Sequence, residues 1–139
     1  MSNLILVRGT PGQGKSFFAK KLVEQAQKEN RNFLHFEADM YFYHHGEYRF
    51  DISKIGNAHL WCRNQTKEAL KLGIDVIVSN TFTTHKELKD YIELAKEFNI
   101  PLVVYRMTKE YGSIHNVPTE TIKKMKERFV DYEGEILVS

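Results

Sequence analysis

The sequence predicts an α/β fold of three layers, a central parallel sheet with helices on both faces. Two observations predict it. Short apolar runs of strand character alternate along the chain with longer segments of helical period, the pattern of parallel strands joined by crossover helices. The turn between the first run and the first helix is Gly9-Thr10-Pro11-Gly12-Gln13-Gly14-Lys15-Ser16, which fits G-x-x-x-x-G-K-[ST] at every fixed position. Right-handed crossovers then bring this loop to the carboxyl edge of the strands, where ligands bind in such sheets.

The elements follow in order. Leu4-Ile5-Leu6-Val7 centres a buried strand over about residues 3–8. Phe17, Phe18, Leu22 and Ala26 give the next segment a helical period, to about Glu29, where Asn30-Arg31-Asn32 breaks it. Phe33-Leu34-His35-Phe36-Glu37 reads as a second strand. Residues 38–56 are irregular and aromatic, with Tyr41, Phe42, Tyr43, Tyr48 and Phe50. A helix is expected from Asn57 to about Leu72, with Leu60, Trp61, Ala69 and Leu70 near one face and Gly73 closing it. Ile74-Asp75-Val76-Ile77-Val78 is a third strand, Lys86 to Phe98 a helix, and Leu102-Val103-Val104-Tyr105 a fourth strand. A lid-like segment is expected over 107–118. A helix capped by Thr119 then runs to about Val130, and the tail from Glu133 is a short strand or frayed.

Bulk properties bound the function. A chain of 139 residues suits one domain over 1–139, and 42% apolar with 27% charged residues is an ordinary globular balance. The apolar runs are far short of a membrane span. Met1-Ser2-Asn3 leads straight into the first strand, leaving no room for a signal peptide. Cys62 is the only cysteine, which excludes an internal disulfide framework and a CxxC zinc site; it reads as a packing residue in a reducing, cytoplasmic setting. A net charge of +2 is too balanced to argue for a polyanion partner by itself. The basic run Lys123-Lys124-Met125-Lys126-Glu127-Arg128 reads as a solvated helix face.

The glycine loop carries the chemistry. Its glycines let backbone N–H groups turn inward on an anion, and the positive end of the following helix adds to the field. Lys15 is expected on the outer phosphates of a nucleoside triphosphate and Ser16 on Mg²⁺, with Gly9, Gly12, Gln13, Gly14 and Phe17 completing the nucleotide-binding stretch. This is the signature of a P-loop NTPase fold; the glycine spacing is not that of a dinucleotide fold. The second strand ends in Glu37-Ala38-Asp39, which places Asp39 just past the same edge. There it either accepts the proton of an attacking hydroxyl or caps a loop, and position alone leaves the two readings level.

With Asp39 and Tyr41 in place, the chain resembles bacteriophage polynucleotide 5′-hydroxyl kinases and the related small P-loop kinase-like domains. Tyr48-Arg49-Phe50-Asp51 and Ala58-His59-Leu60-Trp61-Cys62 resemble the family's aromatic segment and its "AH..C" helix. Val76-Ile77-Val78-Ser79-Asn80-Thr81 resembles its "VIVDNT" strand, and His115-Asn116-Val117-Pro118, with Ile122 and Met125, its "HGVP..I..M" stretch. The resemblance spans nearly the whole chain. It implies a kinase-like fold, ATP with Mg²⁺, Asp39 as general base on the acceptor, and Asn80 and Thr81 as residues that bind acceptor or orient Asp39. The two-domain phage enzymes add a phosphatase domain; no phosphatase activity is expected here.

Three positions depart from the family pattern. Phe42 stands where the phage enzymes place an arginine on the acceptor phosphate. Ser79-Asn80-Thr81-Phe82-Thr83 stands for "DNTNT", so a carboxylate and an amide are replaced. Gly112-Ser113 stands where relatives carry the lid "RN", whose arginine stabilises the transferring phosphoryl group; Arg106 or Lys109 is the substitute, Arg106 because it ends the fourth strand. Tyr41, Tyr43, Tyr48 and Trp61 either stack a base or form a small core under the loop. Arg49 and Arg63 are the nearest cations for an acceptor phosphate. His59 either contacts acceptor or makes a structural hydrogen bond, and His44-His45 reads as a loop pair rather than a metal site.

The expected function is ATP-dependent transfer of the γ-phosphate to a hydroxyl, foremost the 5′-hydroxyl end of a nucleic acid. The rivals are a kinase for a small-molecule acceptor such as a nucleoside, sugar or antibiotic, and a nucleotide-binding regulator that has lost catalysis. The expected location is the cytoplasm (a host's, if the chain is viral), with no membrane partner.

Overall fold

A computed structural model describes residues 2–109 and 117–139. The central sheet has five strands: β1 (Leu4–Arg8), β2 (Phe33–Phe36), β5 (Asp75–Asn80), β6 (Leu102–Met107) and β7 (Ile136–Val138), in the spatial order β2-β5-β1-β6-β7. Every pairing is parallel. A separate two-stranded hairpin, β3 (Tyr43–His44) and β4 (Glu47–Tyr48), lies in the segment after β2. The helices are α1 (Lys15–Lys28), α2 (Ile55–Lys71), α3 (His85–Glu97) and α4 (Thr119–Arg128). The α/β fold expected from the alternation is the one observed.

The period of two in the strands sorts the core into two layers. Leu4, Leu6, Val76, Val78 and Val104 face α2 and α3. Val7, Ile77 and Met107 turn the other way, onto Ala19, Phe18, Leu22 and Val23 of α1. Both faces of β1 and β5 are therefore covered, which is why their sequences are near-continuous apolar runs. α3 buries Leu88, Tyr91, Leu94 and Ala95 on one side. Its start is a capping box: Glu87 N–H donates to Thr84 Oγ1, and the Glu87 carboxylate accepts from Thr84 N–H.

The first three helices end alike. After α1, Asn30 N–H donates to Gln27 O and Arg31 N–H to Ala26 O. The same pair of bonds closes α2 at Gly73 and Ile74, and α3 at Asn99 and Ile100. Asn30, Gly73 and Asn99 all carry the positive φ such endings need, 62°, 74° and 52°.

Several boundaries differ from the sequence reading. Residues 38–56 contain two short 3₁₀ turns, Ala38–Phe42 and Ile52–Lys54, flanking the hairpin. His45 and Gly46 both have positive φ, so the hairpin closes on a two-residue turn. α2 begins at Ile55, and its inner stripe is Ala58, Cys62, Thr66, Ala69 and Leu70, whereas Leu60 is 54% exposed. Pro118, not Thr119, occupies the N-cap of α4, because its fixed φ suits helix entry. Phe17 is 64% exposed; the inward face of α1 passes through Phe18 instead. The tail forms β7, tied to β6. The lid expected over 107–118 falls outside the described residues for 110–116, Gly112-Ser113 and His115 included.

Among the described residues no helix is long and apolar enough to cross a membrane. Leu88 is wholly buried between α3 and the sheet, so Leu88→Ala should cost about 2–5 kcal/mol in urea denaturation. Leu72→Ala, at a position 77% exposed, should stay within about 0.5 kcal/mol of the parent.

Candidate active site

β1 ends at Arg8, and the chain turns through the glycine loop into α1. Gly12 and Gly14 hold φ of 88° and 78°, which a side chain would resist. Gln13 braces the loop from within: its Oε1 accepts from Thr10 N–H at 2.8 Å. A Cβ on Gly9 would lie 2.8 Å from that same Oε1 and 3.1 Å from Met107 Cβ, so the brace needs a glycine there. Gly9 N–H donates to Thr81 O at 3.3 Å, joining the loop to the exit of β5.

Three charged side chains of two elements meet at this edge. Lys15 Nζ donates to Thr10 O at 3.2 Å. Burial pulls its ammonium down to about 8, against the opposing pull of the Glu37 and Asp39 carboxylates. Glu37 follows β2. One of its oxygens, Oε2, accepts from Ser16 Oγ and from Ser79 Oγ, the latter at 2.8 Å. His35 Nε2 lies 2.6 Å from Ser79 Oγ; burial lowers the His35 pKa below its ordinary value, which favours the neutral ring. Sequence reasoning weighted Asp39 and passed over Glu37; the register of β2 against β5 was the missing signal.

Asp39 sits in the 3₁₀ turn after β2. The Asn80 side chain holds that turn, its Oδ1 accepting from Ala38 N–H at 2.8 Å. Tyr48 OH donates to Asp39 Oδ1 at 3.3 Å. Burial first, and Asp39 second, push the Tyr48 phenol up to about 12, so it stays protonated and donates.

The remaining candidates are dispersed. Tyr41 packs beside Phe42 and Trp61, with Phe42 in the core, so most of the aromatic cluster is a small core under the loop. Tyr43 and Phe50 stay about half exposed, at 49% and 52%. A broad cleft of about 950 Å³ opens there, lined by Tyr41, His44, Arg49, Phe50 and Lys54 among others. Arg49 is exposed and forks onto Glu47 at 3.1 and 2.7 Å. His59 lies on the exposed side of α2. Phe17 is exposed, with Lys21 Nζ 4.6 Å from its ring centre.

Arg106 is engaged by carboxylates of the tail. Its guanidinium pairs with Asp131 and, at 3.1 Å, with Glu135, and lies over the Phe129 ring. It lines a second cleft of about 240 Å³ with Thr10, Gln13, Met107 and Lys126. Arg8 is fully buried beside it, bonded to Phe82 O and Glu135. Cys62 is buried too, and burial pushes its thiol up, away from reactivity.

These features coincide with a known family: its model, described as an AAA domain (AAA_33), matches residues 4–131. The chain belongs to this AAA domain family. A human relative, NEDD4-binding protein 2, is 36% identical over 136 residues, covering 91% of this chain but only 8% of that protein's length. The fold is similar to that of a gluconokinase from Sinorhizobium meliloti 1021, at a TM-score of 0.63 and 18% identity, over 98% of this chain and 81% of that one. It is also similar to a chain in the Pnkp1/Rnl/Hen1 RNA repair complex, at 0.58 and 19%, over 91% of this chain and 37% of that one. This AAA domain therefore has an α/β P-loop fold of the kind these solved structures share.

Such folds use a nucleotide with Mg²⁺, and the donors present fit that pair. Backbone N–H groups and Lys15 suit phosphates, while the Ser16 hydroxyl and the Glu37 carboxylate are hard oxygen ligands of the kind Mg²⁺ takes. Among the described residues no three His, Cys, Asp or Glu side chains form a metal cage.

The lowered Lys15 pKa makes two signed predictions. In the free protein the unfolded state binds more protons between about pH 8 and 10.5, so this group's contribution to stability rises with pH across that window. Phosphate binding restores the charge. At pH 8.5 nucleotide binding should take up a large fraction of a proton, seen as buffer-dependent heats in calorimetry, and Lys15→Met should remove the uptake.

Proposed function

We propose that this chain is an ATP-dependent kinase that transfers the γ-phosphate to a hydroxyl, and that its acceptor is the 5′-hydroxyl end of a nucleic acid. One observation carries the transfer: the Asn80–Ala38 bond holds the turn bearing Asp39 at the edge where Lys15 and Ser16 lie. Asp39 takes the proton of the acceptor hydroxyl as its oxygen bonds to the γ-phosphorus. The bond from that phosphorus to the bridging oxygen breaks, and ADP leaves. Lys15 and the loop amides offset charge on the phosphates, and Mg²⁺, when bound, supplies further neutralisation there. Asn80 and Thr81 act as positioning residues, through the Ala38 and Gly9 amides.

The broad cleft beyond Asp39 supports the choice of acceptor. The exposed aromatic face of Phe50, with His44, Arg49 and Lys54, suits bases and backbone phosphates. The likeness to a chain of an RNA repair complex points the same way. A second reading has an observation of its own. Phe42, at the position of the acceptor-phosphate arginine, is only 3% exposed and packs into the core, which suits an uncharged small acceptor.

Incubation with γ-labelled ATP, Mg²⁺ and a 5′-hydroxyl oligonucleotide tests the proposal. Label should pass to the oligonucleotide, and Asp39→Asn should slow transfer by about 10²–10⁴-fold with ATP affinity kept. Lys15→Ala should cost about 2–4 kcal/mol of transition-state stabilisation. Absence of label despite ATP binding would sink the nucleic-acid acceptor. Contacts by Arg49 and Lys54 predict that the logarithm of acceptor affinity falls with log salt at a slope of about −1 to −2; a flat dependence would favour the small-molecule acceptor.

A further inference from the structure

The resembling kinases end their third strand in an acid, and here that residue is Ser79. A carboxylate is nonetheless present at the same place. β2 and β5 pair in parallel with Phe36 opposite Val78, which makes the next residues, Glu37 and Ser79, cross-strand neighbours. Glu37 Oε2 accepts from Ser79 Oγ at 2.8 Å and also from Ser16 Oγ. A serine hydroxyl has one proton to give, so Ser79, having given it to Glu37, accepts from His35 Nε2–H at 2.6 Å. The result is a directed relay, His35 to Ser79 to Glu37, with Ser16 donating to the same carboxylate. Ser16 spends its proton on Glu37 and keeps its lone pairs for a cation.

We infer that Glu37 is the acid of the Mg²⁺ site in this chain, supplied from the end of β2. It orients the Ser16 hydroxyl and accepts hydrogen bonds from water around the ion, while Ser79 serves only to hold Glu37. The swap is sterically sensible. Neighbouring strands lie about 4.8 Å apart, and a glutamate is one methylene longer than the aspartate it replaces. The inference deepens the kinase reading and rests on its nucleotide-binding half, not on any acceptor.

Mn²⁺ provides the test, because its paramagnetic resonance signal reports metal binding to the ADP complex without turnover. Glu37→Gln should weaken Mn²⁺ binding roughly 10- to 100-fold, the usual penalty for losing a carboxylate behind a metal ligand, while ADP affinity without metal holds. The double variant Glu37→Ser with Ser79→Asp, which returns the acid to β5, should recover most of the loss. Unchanged Mn²⁺ affinity in Glu37→Gln overturns the assignment. So does a double variant that folds, binds ADP and remains as weak as Glu37→Gln. If the parent chain binds no ADP even without metal, the nucleotide-binding reading itself fails and takes the assignment with it, an outcome distinct from the other two.

Discussion

The parallel pairing of β1 on both sides is the constraint on which the rest of the molecule depends. Leu4 through Arg8 pair with Val76 through Asn80 on one side and with Leu102 through Arg106 on the other. A strand paired on both edges and covered on both faces has no freedom to slip, since a shift of one residue would turn every side chain to the wrong layer. That fixed register sets where the glycine loop leaves the sheet. It also sets Asn80 beside the loop, and through Asn80 it sets the turn carrying Asp39.

A second constraint is electrostatic. Lys15 is buried enough to lose much of its preference for the charged form, and two carboxylates from the β2 edge oppose that loss. Neither side of the balance is satisfied within a single element. On the far side of the loop, Arg8 and Arg106 share Glu135, and Phe129 lies against both guanidinium groups. The buried Arg8 also holds the Phe82 carbonyl with two bonds, at 3.0 and 2.6 Å. Phe82 has φ of +46°, a conformation that costs about 1–2 kcal/mol for a residue with a Cβ. Its ring is buried edge-on to Tyr91, 5.3 Å away, so packing and the Arg8 bonds together offset the strain. The family pattern has asparagine there, which adopts this backbone more readily; the phenylalanine keeps the turn by burial instead.

The loop at residues 9–16 was legible because its chemistry is local: glycines for the turn, a lysine and a hydroxyl at fixed spacing. Apolar periodicity likewise revealed the four main strands, and Asn30 and Gly73 marked the ends of two helices, both at positive φ in the structure. Leu60 and Phe17 misled for a shared reason. Each sits one or two positions off the inward stripe, and an apolar residue at the rim of a helix face looks like a core residue in one dimension. The partners of Arg106 were not legible, because Asp131 and Glu135 lie in the tail, far along the chain.

The sequence by itself determined the alternating architecture, the phosphate loop and the presence of an acid after the second strand. Those features depend on composition and spacing within a few residues. Only the tertiary structure decided which acid meets Ser16, because Glu37 meets Ser79, 42 positions away, across the edge of the β2–β5 pairing, and Ser16, 21 positions away, at the head of α1. The same holds for the aromatics around Tyr41. Packing against α2 decides which rings are core and which are surface, and that contact exists only once the sheet has brought the two segments together.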